Sequence, residues 1–102
     1  GVTGARRSPA APELPTVGEA GVAGYEANAW FATYTAARVP APLLQRWHGE
    51  ITRIISGSDV RDRLAAQGAE AMTSTPAELA RYTAAEIVRW RRVIRESGAT
   101  AQ

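Results

Sequence analysis

Pro15-Thr16-Val17-Gly18-Glu19-Ala20-Gly21-Val22-Ala23-Gly24-Tyr25-Glu26, then Trp30-Phe31, then Val39-Pro40-Ala41-Pro42: the reading of this run decides the fold. Pro15 closes an extended approach, because proline fixes φ and has no amide to donate. Thr16 and Glu19 stand in capping-box spacing, where the hydroxyl accepts the Glu19 amide and the carboxylate reaches back. Gly18, Gly21 and Gly24 follow so closely that the helix they start is limited to about one turn. From Tyr25 to Ala36 the aromatic and threonine content predicts a strand over 25–36. Alternation sets Trp30, Ala32 and Tyr34 on one face and Phe31, Thr33 and Thr35 on the other. Bulk on both faces is the pattern of a strand covered on each side by helices.

Downstream, Pro40 and Pro42 preset φ for a helix predicted over about 42–56. Leu43, Leu44, Trp47, Ile51, Ile54 and Ile55 recur as a single apolar stripe along it. Gly57 is read as its end, and Ser58 as the cap of a shorter helix over about 59–67 that carries Val60 and Leu64 and stops at Gly68. A short strand is predicted over 70–73. Thr75-Pro76-Ala77-Glu78 is the clearest local signal: a cap, a proline at the first helical position and a glutamate completing the box. It opens a helix over 76–97 whose buried stripe is read as Leu79, Tyr82, Ile87, Trp90 and Ile94. Upstream, Gly1 to Thr3 reads as the tail of a strand. Ser8 to Pro15, with prolines at 9, 12 and 15, reads as an extended surface connection. The fold class expected is α/β, with more helix than strand.

Composition narrows the function classes. A chain of 102 residues suffices for one small domain, expected to bury ~60–65% of its unfolded surface. An apolar content of 45% and a charged content of 22% are those of a soluble globular protein. No run approaches the ~18 consecutive apolar residues of a membrane span. The absence of cysteine excludes disulfides, thiolate nucleophiles and cysteine-ligated metals. All 12 basic residues are arginine, but a net charge of +2 is too small to imply a polyanion partner. The chain begins with Gly rather than Met and carries no signal-peptide run, so a processed product or a cut piece is expected.

Candidate chemistry is sparse. His48, the single histidine, lies about 100° round the helix from the apolar stripe with no convergent partners, and is read as a bland surface residue. Arg89, Arg91, Arg92 and Arg95 could form a nucleic-acid stripe. Glu78 before Arg81, Glu86 before Arg89 and Glu96 after Arg92 instead read as a salt-laced outer helix face. Trp47 and Trp90 fall in apolar stripes and are read as core. There is no Ser-His-Asp arrangement, nucleophile elbow or phosphate loop, so no enzyme, metal or cofactor is expected. Trp30 and Phe31 are the candidate ligand-binding residues, although a core role competes for both. They sit on a glycine-introduced strand, and an indole offers both an apolar wall and one donor.

An ordered series then carries a resemblance. It runs through Val2-Thr3, Arg7-Ser8-Pro9, Leu14-Pro15-Thr16-Val17 with Glu19-Ala20-Gly21, Gly24-Tyr25-Glu26, Trp30-Phe31 and the Pro40–Pro42 start. It continues with Ser58-Asp59-Val60, Arg63-Leu64, Gln67-Gly68, Ser74-Thr75-Pro76, Glu78-Leu79, Glu86-Ile87, Trp90, Val93-Ile94 and Gly98. In this order the chain resembles the C-terminal third of the Bug family, the extracytoplasmic solute receptors of tripartite tricarboxylate transporters. Ala32 stands where family members commonly have glycine, and Ala36-Ala37-Arg38-Val39 replaces a Pro-Ala-Gly-Thr type of turn.

The resemblance implies part of a type II periplasmic-binding-protein fold: two α/β lobes that close on a ligand like a hinged trap. Residues 1–24 would be an inter-lobe connection, and 25–102 the strand crossover and C-terminal helices. It further implies a periplasmic location and a small organic acid ligand held by loops of both lobes, with the carboxylate-holding loops in portions absent from this chain, the N-terminal lobe among them. The transporter's membrane subunits would be partners, and Trp30-Phe31 would lie near the cleft. The alternative class is a small Arg-rich helical module that binds nucleic acid or a protein partner, with affinity falling steeply in salt.

Overall fold

The computed structural model describes residues 1–100. Three helices follow in order: α1 (Ala41–Ile55), α2 (Ser58–Ala66) and α3 (Pro76–Ser97). Pro40 and Pro42 open α1 as expected, in a backbone that proline already occupies. At α3 the full capping box forms: the Thr75 hydroxyl accepts the Glu78 amide at 3.2 Å, and the Glu78 carboxylate accepts the Thr75 amide at 2.8 Å. Glu78 in the first turn and Arg95 in the last both suit the helix dipole.

The junction between α1 and α2 differs from the sequence reading. Ser58 is the first residue of α2 and caps nothing with its side chain; Gly57 occupies the N-cap. Nor does Gly57 end α1 through a left-handed turn, since its φ is −66°. The space around it is tight. A Cβ there would lie 2.9 Å from Asp59 Oδ1 and 3.2 Å from the Ile54 carbonyl. At the other end of α2, Gly68 has φ +73°. The Gly68 and Ala69 amides close onto the Ala65 and Leu64 carbonyls in a Schellman motif, at 2.9 Å each.

The strands expected over 25–36 and 70–73 do not form; both stretches are irregular. A strand exists only as half of a ladder, and among the described residues the one long-range backbone bond to either stretch runs from the Ala27 amide to the Thr3 carbonyl, at 2.9 Å, too little to make a ladder. What forms instead is one isolated parallel bridge, Val2 with Thr16. The Val2 amide donates to the Pro15 carbonyl and the Val17 amide to the Val2 carbonyl, both at 2.9 Å. Thr16 and Glu19 make their reciprocal box on the short turn, and Arg7 adds an ion pair to Glu19 at 2.9 Å. Among the described residues the chain is therefore helix-rich without a sheet.

No apolar side chain among the described residues is fully buried. Trp47 and Trp90, read as core, remain 48% and 39% exposed. The accessible surface is 8485 Å², against about 5,600 Å² for a compact monomer of this mass. The radius of gyration, 16.7 Å, exceeds the ~13 Å of a compact chain of this length. α1 and α2 pack on each other, whereas α3 stands largely apart from both. Side chains from the 25–36 segment and one histidine hold it.

Candidate functional site

The predicted alternation over 25–36 survives without the ladder. Trp30 and Tyr34 both turn to α3, while Phe31 points the other way and is 96% exposed. Extended backbone alone suffices to send successive side chains to opposite sides. The segment is held by side chains rather than by strand pairing. Trp30 meets Tyr82 edge to face, with ring centroids 5.2 Å apart and planes at 72°. The Tyr34 hydroxyl lies 2.6 Å from Thr83 Oγ1, and the Thr83 hydroxyl donates to the Leu79 carbonyl one turn back.

At the centre of this attachment is Glu86, 8% exposed. Its Oε2 accepts the Trp90 indole N–H at 3.0 Å and the Trp30 indole N–H at 3.3 Å. Its Oε1 pairs with Arg89 at 3.2 Å, and the Arg89 guanidinium lies 5.8 Å from the Trp90 ring centroid. One carboxylate thus gathers two indoles and a guanidinium, which is how a buried charge is made tolerable. The hydrogen bond from Trp90, opposed by desolvation and joined by those from Arg89 and Trp30, holds the Glu86 carboxyl below the ordinary carboxylate range. Desolvation first, then the Glu86 charge, pushes the Tyr82 phenol up.

The sign of the pH dependence follows. A carboxyl whose folded pKa is depressed stabilises the fold above the unfolded value of about 4.3, and that contribution is lost as pH falls through the folded value. Between pH 7 and 5 the indole N–H resonances of Trp30 and Trp90 are expected to stay fixed. Below about pH 4 they should move together, and in Glu86→Gln this acid step should vanish. Glu19 and Glu78 titrate low as well, through their bonds to the Thr16 and Thr75 backbone. Those partners are amides, so the indole signals isolate Glu86.

Sequence reasoning had placed Glu86 on a solvated face, as the partner of Arg89. The ion pair is present, but the face is not the outer one. Tyr82, Glu86 and Trp90 recur at four-residue spacing, and this signal could have identified the inward side. Ile87 and Ile94, assigned to the buried stripe, are instead about half exposed, and so is Tyr82 even with Trp30 against it. Of the other two expected ion pairs, Arg92 and Glu96 form none among the described residues. Glu78 is engaged in the α3 cap.

His48 lies away from this cluster. Its Nε2 is 2.8 Å from the Ser74 carbonyl and 3.5 Å from the Thr52 hydroxyl, in a shallow depression with Thr73, Thr75 and Glu78. It ties α1 to the approach of α3. No group of His, Asp or Glu among the described residues could hold a metal ion, and no helix is long and apolar enough to cross a membrane.

Comparison with known proteins agrees across sequence and structure. Residues 1–99 match the profile described as tripartite tricarboxylate transporter family receptor. The chain is 33% identical over 97 residues to the UPF0065 protein in the tcbD-tcbE intergenic region of a Pseudomonas species, covering 94% of this chain and 29% of that protein. It is 32% identical over 93 residues to protein BugT of Bordetella pertussis, covering 91% of this chain and 28% of that one. In backbone it resembles the solved structure of R. palustris Rpa4515 with adipate, with a TM-score of 0.81 at 31% identity, over 94% of this chain and 32% of that one. The chain thus spans about three tenths of the length of the curated relatives it matches.

Proposed function

The chain belongs to the tripartite tricarboxylate transporter receptor family, and from that premise we propose that it is the C-terminal third of an extracytoplasmic solute receptor. Its work is binding rather than chemistry: a small carboxylate enters a cleft between two lobes of a type II periplasmic-binding-protein fold. Residues 1–24 connect the lobes, and 25–102 supply a crossover segment and outer helices. The closed, liganded form is what the membrane subunits of the transporter receive. Of the candidate ligand-binding residues Trp30 and Phe31, Phe31 is the one that reaches the cleft, while Trp30 anchors the segment to α3; the periplasm is the compartment. The strand expected over 25–36 forms when the rest of the receptor supplies its ladder partner.

The observation that carries this reading is the backbone likeness to a structure named with adipate, at 31% identity over nearly the whole chain. An open surface is consistent with a part whose apolar faces are meant to be covered. The alternative Arg-rich module is less favoured, because the family match accounts for the whole helical series.

Thermal-shift titration of the full-length receptor against di- and tricarboxylates and amino acids tests the proposal. A true ligand at one hundred times its Kd stabilises the folded state by about 2.7 kcal/mol. A receptor that no acid stabilises, or one that binds duplex DNA with steep salt dependence, would overturn the assignment.

A further inference from the structure

The acids that were expected to neutralise the outside of α3 are not used there. Glu86 turns inward with Arg89, Glu78 serves the cap, and Glu96 makes no pair with Arg92 among the described residues. Arg81, Arg91, Arg92 and Arg95 are all exposed, and none of them has an ion-pair partner among the described residues. At 3.6 residues per turn the four lie about 120–180° round the helix from Glu86, and no acidic residue of α3 falls within their arc. Arg91 and Arg95 stand four apart, and Arg92 and Arg95 three apart, so like charges repel along this face until something acidic approaches.

The face runs about 21 Å from Arg81 to Arg95. Its floor is small: Ala84, Ala85 and Val88 line a shallow depression together with Arg89 and Arg92. Small side chains let a second polypeptide segment come close. A helix made to lie on a lipid surface carries large apolar side chains beside its basic ones, and here the residues between the arginines are two alanines and a valine. Ile87, Trp90 and Ile94, the open apolar side chains, lie within about 100° of Glu86. That is the side for the rest of a receptor to cover, since apolar surface gains from burial and an unpaired guanidinium suffers a heavy desolvation penalty.

We propose that the arginine face of α3 is a docking surface for an acidic protein segment, in the receptor reading an extracytoplasmic loop of the transporter's membrane subunits. This rests on the function proposed above. Complementary charge there speeds encounter and makes the association rate fall with salt.

The test sets the full-length receptor against the membrane subunits in nanodiscs of neutral phosphatidylcholine, by surface plasmon resonance, with empty discs as control. Arg92→Glu/Arg95→Glu should slow association about tenfold at low salt and flatten its salt dependence. Diacid affinity by calorimetry and the melting temperature of the free receptor should stay unchanged. Arg92→Lys/Arg95→Lys, which keeps the charge, should retain most of the rate.

If the wild type binds no diacid, the functional reading fails and this one with it. A receptor that binds diacids but joins the membrane subunits at a rate indifferent to the charge reversal overturns the inference alone, as does one that does not join them at all. A melting temperature lowered by the reversal would put the arginines inside the receptor, against partners of its own. Binding to empty discs of anionic phosphatidylglycerol, abolished by the reversal, would make the occupant a lipid surface. Either result overturns the docking surface as stated.

Discussion

In sedimentation velocity the 102-residue chain alone is expected to run as a concentration-dependent mixture of associated species, and calorimetry should record no sharp two-state endotherm. No apolar side chain among its described residues is fully buried. The surface it exposes is about one and a half times that of a compact chain of its mass. Ordering a backbone costs roughly 1–2 kcal/mol per residue, and burial of apolar surface is the main term that offsets it. Here that term is small. Local order comes instead from caps, turns and the Glu86 cluster, each contributing on the order of 1 kcal/mol. Along α1, Leu43, Trp47 and Ile54 remain open, as do Ile87, Trp90 and Ile94 on α3. Contiguous apolar surface larger than a few hundred Å² draws other molecules to it, and in a pure sample those are further copies of this chain. A hydrophobic dye should therefore fluoresce strongly with the isolated chain. A monomer at micromolar concentration with a cooperative melt would contradict the whole picture of an uncovered part. Adding the remaining receptor to the same polypeptide should abolish both the association and the dye binding.

That contrast also explains what could be read from the residues and what could not. The helices were legible because their signals are local. Pro40 and Pro42, the Thr75–Glu78 box and the glycines at 68 and 98 act within a few residues of themselves, and α1, α2 and α3 begin and end within a residue of where they place them. The strands were not, because β structure is a property of pairs of segments. The 25–36 run has strand composition, but among the described residues no second segment forms a ladder with it. What survived was the part of the pattern that needs no partner, with Trp30 and Tyr34 to one side and Phe31 to the other. Core assignments failed for the same reason. An apolar stripe states which face wants covering, not whether anything covers it, and Trp47 is half exposed on a faultless stripe. Glu86 was missed for a different reason. Its spacing to Arg89 fits a surface ion pair, and nothing in a linear pattern says that Trp30, 56 positions away, lends it an indole.

Trp30 is the residue whose loss should unhook this segment from α3. In the full-length receptor, Trp30→Ala is expected to cost about 2–3 kcal/mol. Burial of a large half-covered ring accounts for the greater share, and the edge-to-face pair with Tyr82 for ~1 kcal/mol. Glu86 keeps Trp90 and Arg89 in that variant, so α3 itself should retain its helix. The damage should therefore be local. Amide exchange should accelerate across 25–36, while the capped first turn of α3 stays protected by Thr75. Two milder variants divide the effect. Trp30→Phe keeps a ring against Tyr82 and loses only the N–H, so it should fall between wild type and alanine. Tyr34→Phe removes one hydroxyl contact to Thr83 and should cost about 1 kcal/mol or less. If Trp30→Ala costs no more than Tyr34→Phe, the segment is held by something other than its tryptophan. The Glu86 cluster would then be a consequence of the fold and not one of its causes.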